Sequence, residues 1–201
     1  MKSKDFYALF VSLYIVSLAV ANILAGIILQ LPFNLTIAAG TLVFPITYVA
    51  SNVISEVWGY NEARFAATTA IVINTLLVLL YTGTLLLPTP VFFQNDEAFR
   101  IVLGAVPRIF IASTLASFFA SWLNDIVFER LKTNRKGNFS SRVFIASSVG
   151  QLANSAIFIP IAFLGRMPIS NLMTMYFVTV VVRVAYEIIF LPLTNVVVKN
   201  L

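Results

Sequence analysis

Long apolar runs alternate with short polar breaks along this chain, and the runs are longer than a soluble core uses. A helix needs about 20 apolar residues to cross the hydrocarbon of a bilayer. Residues 6–30 are interrupted only by Ser12, Ser17 and Asn22, which predicts a first helix over that stretch. Leu31, Pro32, Phe33 and Asn34 read as a turn. A second helix is predicted over about residues 38–58, broken by Gly59, Tyr60 and Asn61, and a third over about 62–86, ended by Pro88 and Pro90. Residues 91–99 read as the first polar loop of any size, with Asn95, Asp96 and Glu97. A fourth helix follows over about 100–128, then a basic segment with Arg130, Lys132, Arg135, Lys136 and Arg142. The fifth and sixth helices are expected over about 143–164 and 171–198, joined by Gly165, Arg166, Met167 and Pro168. The first run exceeds the apolar core of a signal peptide, about 7–15 residues, and so reads as a retained helix. The pattern as a whole predicts an all-α polytopic membrane protein, a single domain of six transmembrane helices over residues 1–201.

Composition sharpens this. Hydrophobic residues make up 60% of the chain and charged residues 10%, against about 45–50% and about 25% in soluble domains. With neither histidine nor cysteine in the sequence, disulfides, thiolate nucleophiles, most zinc sites and histidine acid–base chemistry are excluded. The net charge of +5 is a topology signal, not a nucleic-acid footprint. Lys2, Lys4, Arg64, the cluster from Arg130 to Arg142 and Lys199 fall on one side; Arg100 and Arg166 fall on the other. Basic residues favour the cytoplasm, so both termini are expected inside.

A short set of polar groups remains within the predicted spans: Asn22, Asn52, Glu56, Asn74, Arg108, Asn124, Asp125, Gln151, Asn154, Arg183 and Glu187. A charge at the centre of a membrane helix costs about 2.5–3.5 kcal/mol, so such groups need partners or a wet cavity. Asn52 and Glu56 lie four apart and share a helix face, as do Arg183 and Glu187; Gln151 and Asn154, three apart, do the same. Each has a plainer reading. Arg183 and Glu187 could neutralise each other within one helix, Gln151 and Asn154 could bond between helices, and Arg108 could snorkel. Asn74 reads as a packing residue, and Asp125 and Glu129 as solvated. Ala21 and Ala25 form a small-xxx-small pattern that lets another helix approach closely. Amides, carboxylates and a guanidinium gathered on several helices suit a planar, hydrogen-bonding small molecule better than a bare ion.

The stretch NVISEVWGYNEAR at residues 52–64, preceded by VFPITYVAS, resembles the signature of the queuosine-precursor transporter family, also described as vitamin-uptake-transporter-like. ANILAG at 21–26, PRIFIAS at 107–113, LNDIVFERLK at 123–132, GQLANSAIFIPIAF at 150–163 and RVAYEIIFLPLT at 183–194 agree with it in order. The likeness covers almost the whole chain. It implies a six-helix inner-membrane importer, similar in fold to the substrate-binding subunits of energy-coupling-factor vitamin transporters. It implies a deazapurine substrate, 7-cyano- or 7-aminomethyl-7-deazaguanine, salvaged for tRNA modification, with no cofactor. Whether the chain works as a homo-oligomer or with a coupling module stays open. Asn52, Asn124 and Asn154 stand where the family commonly has aspartate, and Arg183 where lysine is usual.

On this reading the substrate site draws on Asn22, Asn52, Glu56, Arg108, Gln151, Asn154, Arg183 and Glu187. A carboxylate accepts strongly from two donors, whereas an amide both donates and accepts. Glu187 or Glu56 is expected to take the N1–H and exocyclic amine of the guanine edge, with Gln151 and Asn154 reading the remainder. Arg108 or Arg183 would donate to the carbonyl or orient a carboxylate, and Tyr48, Phe44 or Phe110 could stack on the ring. Rival readings are another nucleobase or a vitamin as cargo, with Ala21 and Ala25 as a docking face for a coupling subunit, an assembly protein, and an intramembrane enzyme. The last lacks a nucleophile elbow or an evident aspartate pair.

Overall fold

A computed structural model describes the backbone of residues 4–90, 92–134 and 139–200. It describes the side chains there except at Tyr48, residues 139–140, Val143, Glu187 and residues 190–200. Six α-helices account for most of it: α1 (Lys4–Leu24), α2 (Gly40–Trp58), α3 (Tyr60–Leu85), α4 (Asp96–Thr133), α5 (Phe139–Phe163) and α6 (Ile169–Asn200). Among the described residues, α1, α3, α4 and the stretches Phe144–Phe163 of α5 and Ile169–Tyr186 of α6 are long and apolar enough to cross a membrane. The protein is therefore helical and polytopic, as the apolar runs predict. Lys2, Arg135, Lys136 and Lys199, used above for orientation, lie outside the described side chains.

Helix boundaries differ from the sequence expectation where charge or backbone chemistry intervenes. The first helix stops at Leu24 and not at about residue 30. Ile28–Leu31 and Leu35–Ala38 instead form a two-stranded hairpin, β1 and β2. Gly26, the β-branched pair Ile27 and Ile28, and the turn after Pro32 favour extended chain here. Phe33 and Asn34 at the tip both have positive φ, 65° and 59°, as primed hairpin turns require. By contrast α4 is longer than expected, because Asp96 and Glu97 sit in its first turn and Arg130 and Lys132 in its last. Those charges are favourable at the positive N-terminal and negative C-terminal ends of a helix. Arg100 pairs with Asp96 at 2.5 Å and donates to the carbonyl of Leu85, capping the end of α3. Between α2 and α3 the break is a single residue: Gly59, at φ 99°, adopts a conformation L side chains rarely take.

Two compact units divide the chain. The first takes residues 1–29, 38–110 and 185–201. In it α1 packs chiefly along α2, and α3 rests on both. The contact is built from small residues: Ala21, Ala25, Ala38, Ala39 and Ala50 are all buried. A Cβ on Gly40 would fall 2.3 Å from the carbonyl oxygen of Ala21 and 2.9 Å from the Ala25 Cβ, so only glycine permits this approach. The small-xxx-small face of α1 is thus occupied by the chain's own second helix, not left open for a partner. Tyr7 closes the same bundle by donating to Glu62 Oε2 at 2.7 Å, with its ring edge on Trp58.

The second unit takes residues 30–37 and 111–184. Gly150 of α5 lies against α4, where an added Cβ would meet the Ala120 carbonyl oxygen at 3.2 Å and the Asn124 Cβ at 3.4 Å. Thr36 of the hairpin donates to the carbonyl of Asn171 at the start of α6, at 3.3 Å.

Overpacking of this kind typically costs about 1–3 kcal/mol. Gly40→Ala should therefore lower the unfolding free energy in detergent by about that amount. Gly83→Ala, with nothing within 4 Å of the added carbon, should be neutral or gain up to about 1 kcal/mol from helix propensity. Equal stability of Gly40→Ala and wild type would contradict the close-packed α1–α2 contact.

Candidate functional site

In the second unit, polar groups of α5 and α6 come together inside an apolar setting. Ser148, Gln151 and Ser155 follow at spacings of three and four residues and so share one face of α5; Asn154 is beside them and buried. On α6, Thr179 and Arg183 are one turn apart and both buried. Arg183 Nη1 donates to Asn154 Oδ1 at 2.5 Å, bridging the two helices. A charged donor makes this bond stronger than a neutral amide pair, and it answers part of the cost of placing a guanidinium among apolar helices.

On the same two helices, Ser148 Oγ, Gln151 Oε1, Ser155 Oγ and Thr179 Oγ1 are buried and have no hydrogen-bond partner among the described residues. Buried polar atoms are nearly always bonded. Four unsatisfied ones on the two helices that the guanidinium joins mark this as a polar part of the unit. Asn124 of α4 stands close by, its Cβ facing Gly150 next to Gln151.

Of the residues expected from sequence, Asn154 and Arg183 are bonded to each other, and Gln151 lies one turn before Asn154 on α5. The plainer reading of Arg183, an ion pair with Glu187 within α6, falls on a side chain outside those described, as does the stacking role of Tyr48. In the first unit, Asn22 is buried on α1 and Arg108 is half-buried on α4. Asn52 and Glu56 do share a face of α2, as their spacing requires, but it is an exposed face; Val53, Ile54 and Val57 are the residues α2 buries. Asn74 donates to the Ala70 carbonyl of its own helix at 2.9 Å, in keeping with a packing role. Asp125 and Glu129 are exposed, and Glu129 lies 3.8 Å from Lys132.

Ser155 and Thr179 are the groups the sequence did not single out. Hydroxyls in membrane helices usually bond their own backbone and attract no attention. The available signal was position: one follows Asn154 directly, the other precedes Arg183 by one turn.

Residues 38–197 match the family model described as "Putative vitamin uptake transporter". The chain belongs to this family. It is also similar to a protein of Bacillus subtilis (strain 168) named "Probable queuosine precursor transporter". The two are 28% identical over 171 residues, which covers 80% of this chain and 71% of the relative. No solved structure gives a significant match. The matched segment contains α2 to α5, most of α6, and every group around the Arg183–Asn154 bridge. This member of the transporter family is therefore a multi-pass membrane protein with a buried polar centre on its last two helices.

If the bridge is structural as well as functional, its acceptor should be replaceable only by another acceptor. Asn154→Leu removes this acceptor from a buried charged donor and should cost about 1–3 kcal/mol in unfolding experiments. Asn154→Asp, which offers a carboxylate to the guanidinium, should equal or exceed wild-type stability. A stable Asn154→Leu would show that the bond contributes little.

Proposed function

We propose that this protein imports a queuosine precursor, 7-cyano- or 7-aminomethyl-7-deazaguanine, across the cytoplasmic membrane for salvage into tRNA. The observation that carries the site is the buried Arg183–Asn154 bridge with Gln151 one turn away; the substrate class is taken from the name of the Bacillus relative. A guanidinium presents several N–H donors in a fixed fork. With one of them held by Asn154, the fork is oriented to donate to a ring carbonyl. Gln151 and the Asn154 amide read the adjoining edge, and Glu187, one turn beyond Arg183, accepts from the N1–H and exocyclic amine. Uptake followed by tRNA modification needs no catalysis by this chain, in line with a transporter and not an enzyme.

Ligand-dependent stabilisation of the purified protein in detergent tests the substrate. A ligand at 100 times its Kd stabilises by about 2.7 kcal/mol. A deazaguanine should raise Tm while guanine and unrelated vitamins should not; a shift with a vitamin alone would move the cargo to that ligand. Glu187→Gln and Gln151→Ala should each strongly weaken binding in a protein that still folds, and wild-type affinity in both would remove these residues from the site.

The proposed orientation places both termini in the cytoplasm, from the distribution of Lys and Arg. The absence of cysteine makes single-cysteine labelling clean. An impermeant maleimide should label Phe92→Cys in intact cells and Lys4→Cys only after permeabilisation; the reverse pattern would invert the topology.

A further inference from the structure

Several helical threonines in this protein bond the backbone of their own helix. Thr68, Thr75, Thr82, Thr84 and Thr174 donate to the carbonyls of Arg64, Ile71, Val78, Leu80 and Ser170, four residues back, at 2.8–3.0 Å. All five are exposed or half-buried, where an unmade bond would cost least. Thr179 lies five residues beyond Thr174 on the same helix and is 2% exposed, yet its hydroxyl makes no bond among the described residues. Ser155, fully buried on α5, is in the same condition. Thr47 of α2 is buried as well and does bond its own helix, donating to the Phe44 carbonyl at 2.6 Å, so the unmade bonds of Ser155 and Thr179 are not a general effect of burial. An unmade bond is most costly where water is excluded, so burial alone does not account for these two.

Their neighbours explain it. Ser155 follows Asn154, and Thr179 precedes Arg183 by one turn, so both flank the Arg183–Asn154 bridge. The unsatisfied Gln151 Oε1 and Ser148 Oγ continue the same face of α5.

We propose that the hydroxyls of Ser155 and Thr179 are specificity-determining ligand groups, which bond the neutral polar edge of a flat nitrogen heterocycle held beside Arg183. This rests on the transporter reading above and adds the residues that select within it. A hydroxyl both donates and accepts, so the pair fits an edge on which N–H and carbonyl or ring nitrogen alternate. A metal ion would be repelled by the guanidinium, and its ligand field would call for carboxylates that neither position supplies. A phosphate would call for further cations.

The test uses Thr179→Val, which keeps shape and loses the hydroxyl, and Ser155→Ala, each measured for Tm without ligand and for Kd toward 7-cyano-7-deazaguanine. With no bond to lose, both variants should hold or exceed the wild-type Tm. Each should bind about tenfold more weakly, the fold-change of one lost neutral hydrogen bond, and Thr179→Ser should recover affinity. A fall in the unliganded Tm would mean the hydroxyls already have partners, and an unchanged Kd would mean the ligand does not touch them; either overturns the proposal. If wild type ignores deazaguanines and binds guanine or another probe, the substrate reading fails, and the same Kd comparison with that probe decides on the hydroxyls. If it binds none, the substrate reading fails and the Tm comparison decides alone: a held or raised Tm keeps the two hydroxyls as vacant ligand positions, and a lowered one removes them.

Discussion

A guanidinium inside a helix pair is the constraint on which the second unit depends. Arg183 is buried, and its guanidinium donates to the Asn154 oxygen of the neighbouring helix. That bond fixes α6 against α5 in register and rotation. The acceptor of this bond is a neutral amide and not a carboxylate. A site built this way favours ligands that offer acceptor atoms to a cation and a neutral mixed edge to amides and hydroxyls. Serine, threonine and glutamine side chains on the adjoining faces supply the second part.

The first unit is held by a different force. In lipid there is little hydrophobic gain in joining two apolar helices, and close van der Waals contact takes its place. Gly40 lets the start of α2 touch the backbone of α1 at Ala21 and Ala25, and the alanines around it are buried. Polar contacts add at the margins: Tyr7 on Glu62, and Arg100 on the end of α3. Shape therefore fixes one unit and a buried charge fixes the other.

The helices were legible because a period of apolar residues about 20 long has few other meanings in a chain with so little charge. Their ends were less so. Asp96, Glu97, Arg130 and Lys132 read as loop residues by composition and are helix-end residues by electrostatics. Residues 28–38 read as the tail of a helix and a turn, because extended apolar chain and helical apolar chain look alike over four residues; only the pair of left-handed residues at Phe33 and Asn34 reveals the hairpin. For the site, spacing groups Gln151 with Asn154 on α5, and Arg183, read as a deep charge, is buried. It could not show that Arg183 reaches α5, since a contact 29 residues apart leaves no periodic trace. Nor could it tell which face of α2 is exposed, so Asn52 and Glu56 were grouped with amides on other helices on chemistry alone. Ser155 and Thr179 stayed hidden because only atomic contacts separate a satisfied hydroxyl from an unsatisfied one.

The account stands or falls on Arg183 serving transport of a deazaguanine. The direct measurement is queuosine in the tRNA of cells that cannot make the precursor, supplied with 7-cyano-7-deazaguanine and expressing either this protein or its Arg183→Met variant at equal membrane abundance. The account predicts queuosine with the wild-type protein and its loss with the variant. Equal queuosine from both, or none from the wild type, would contradict it.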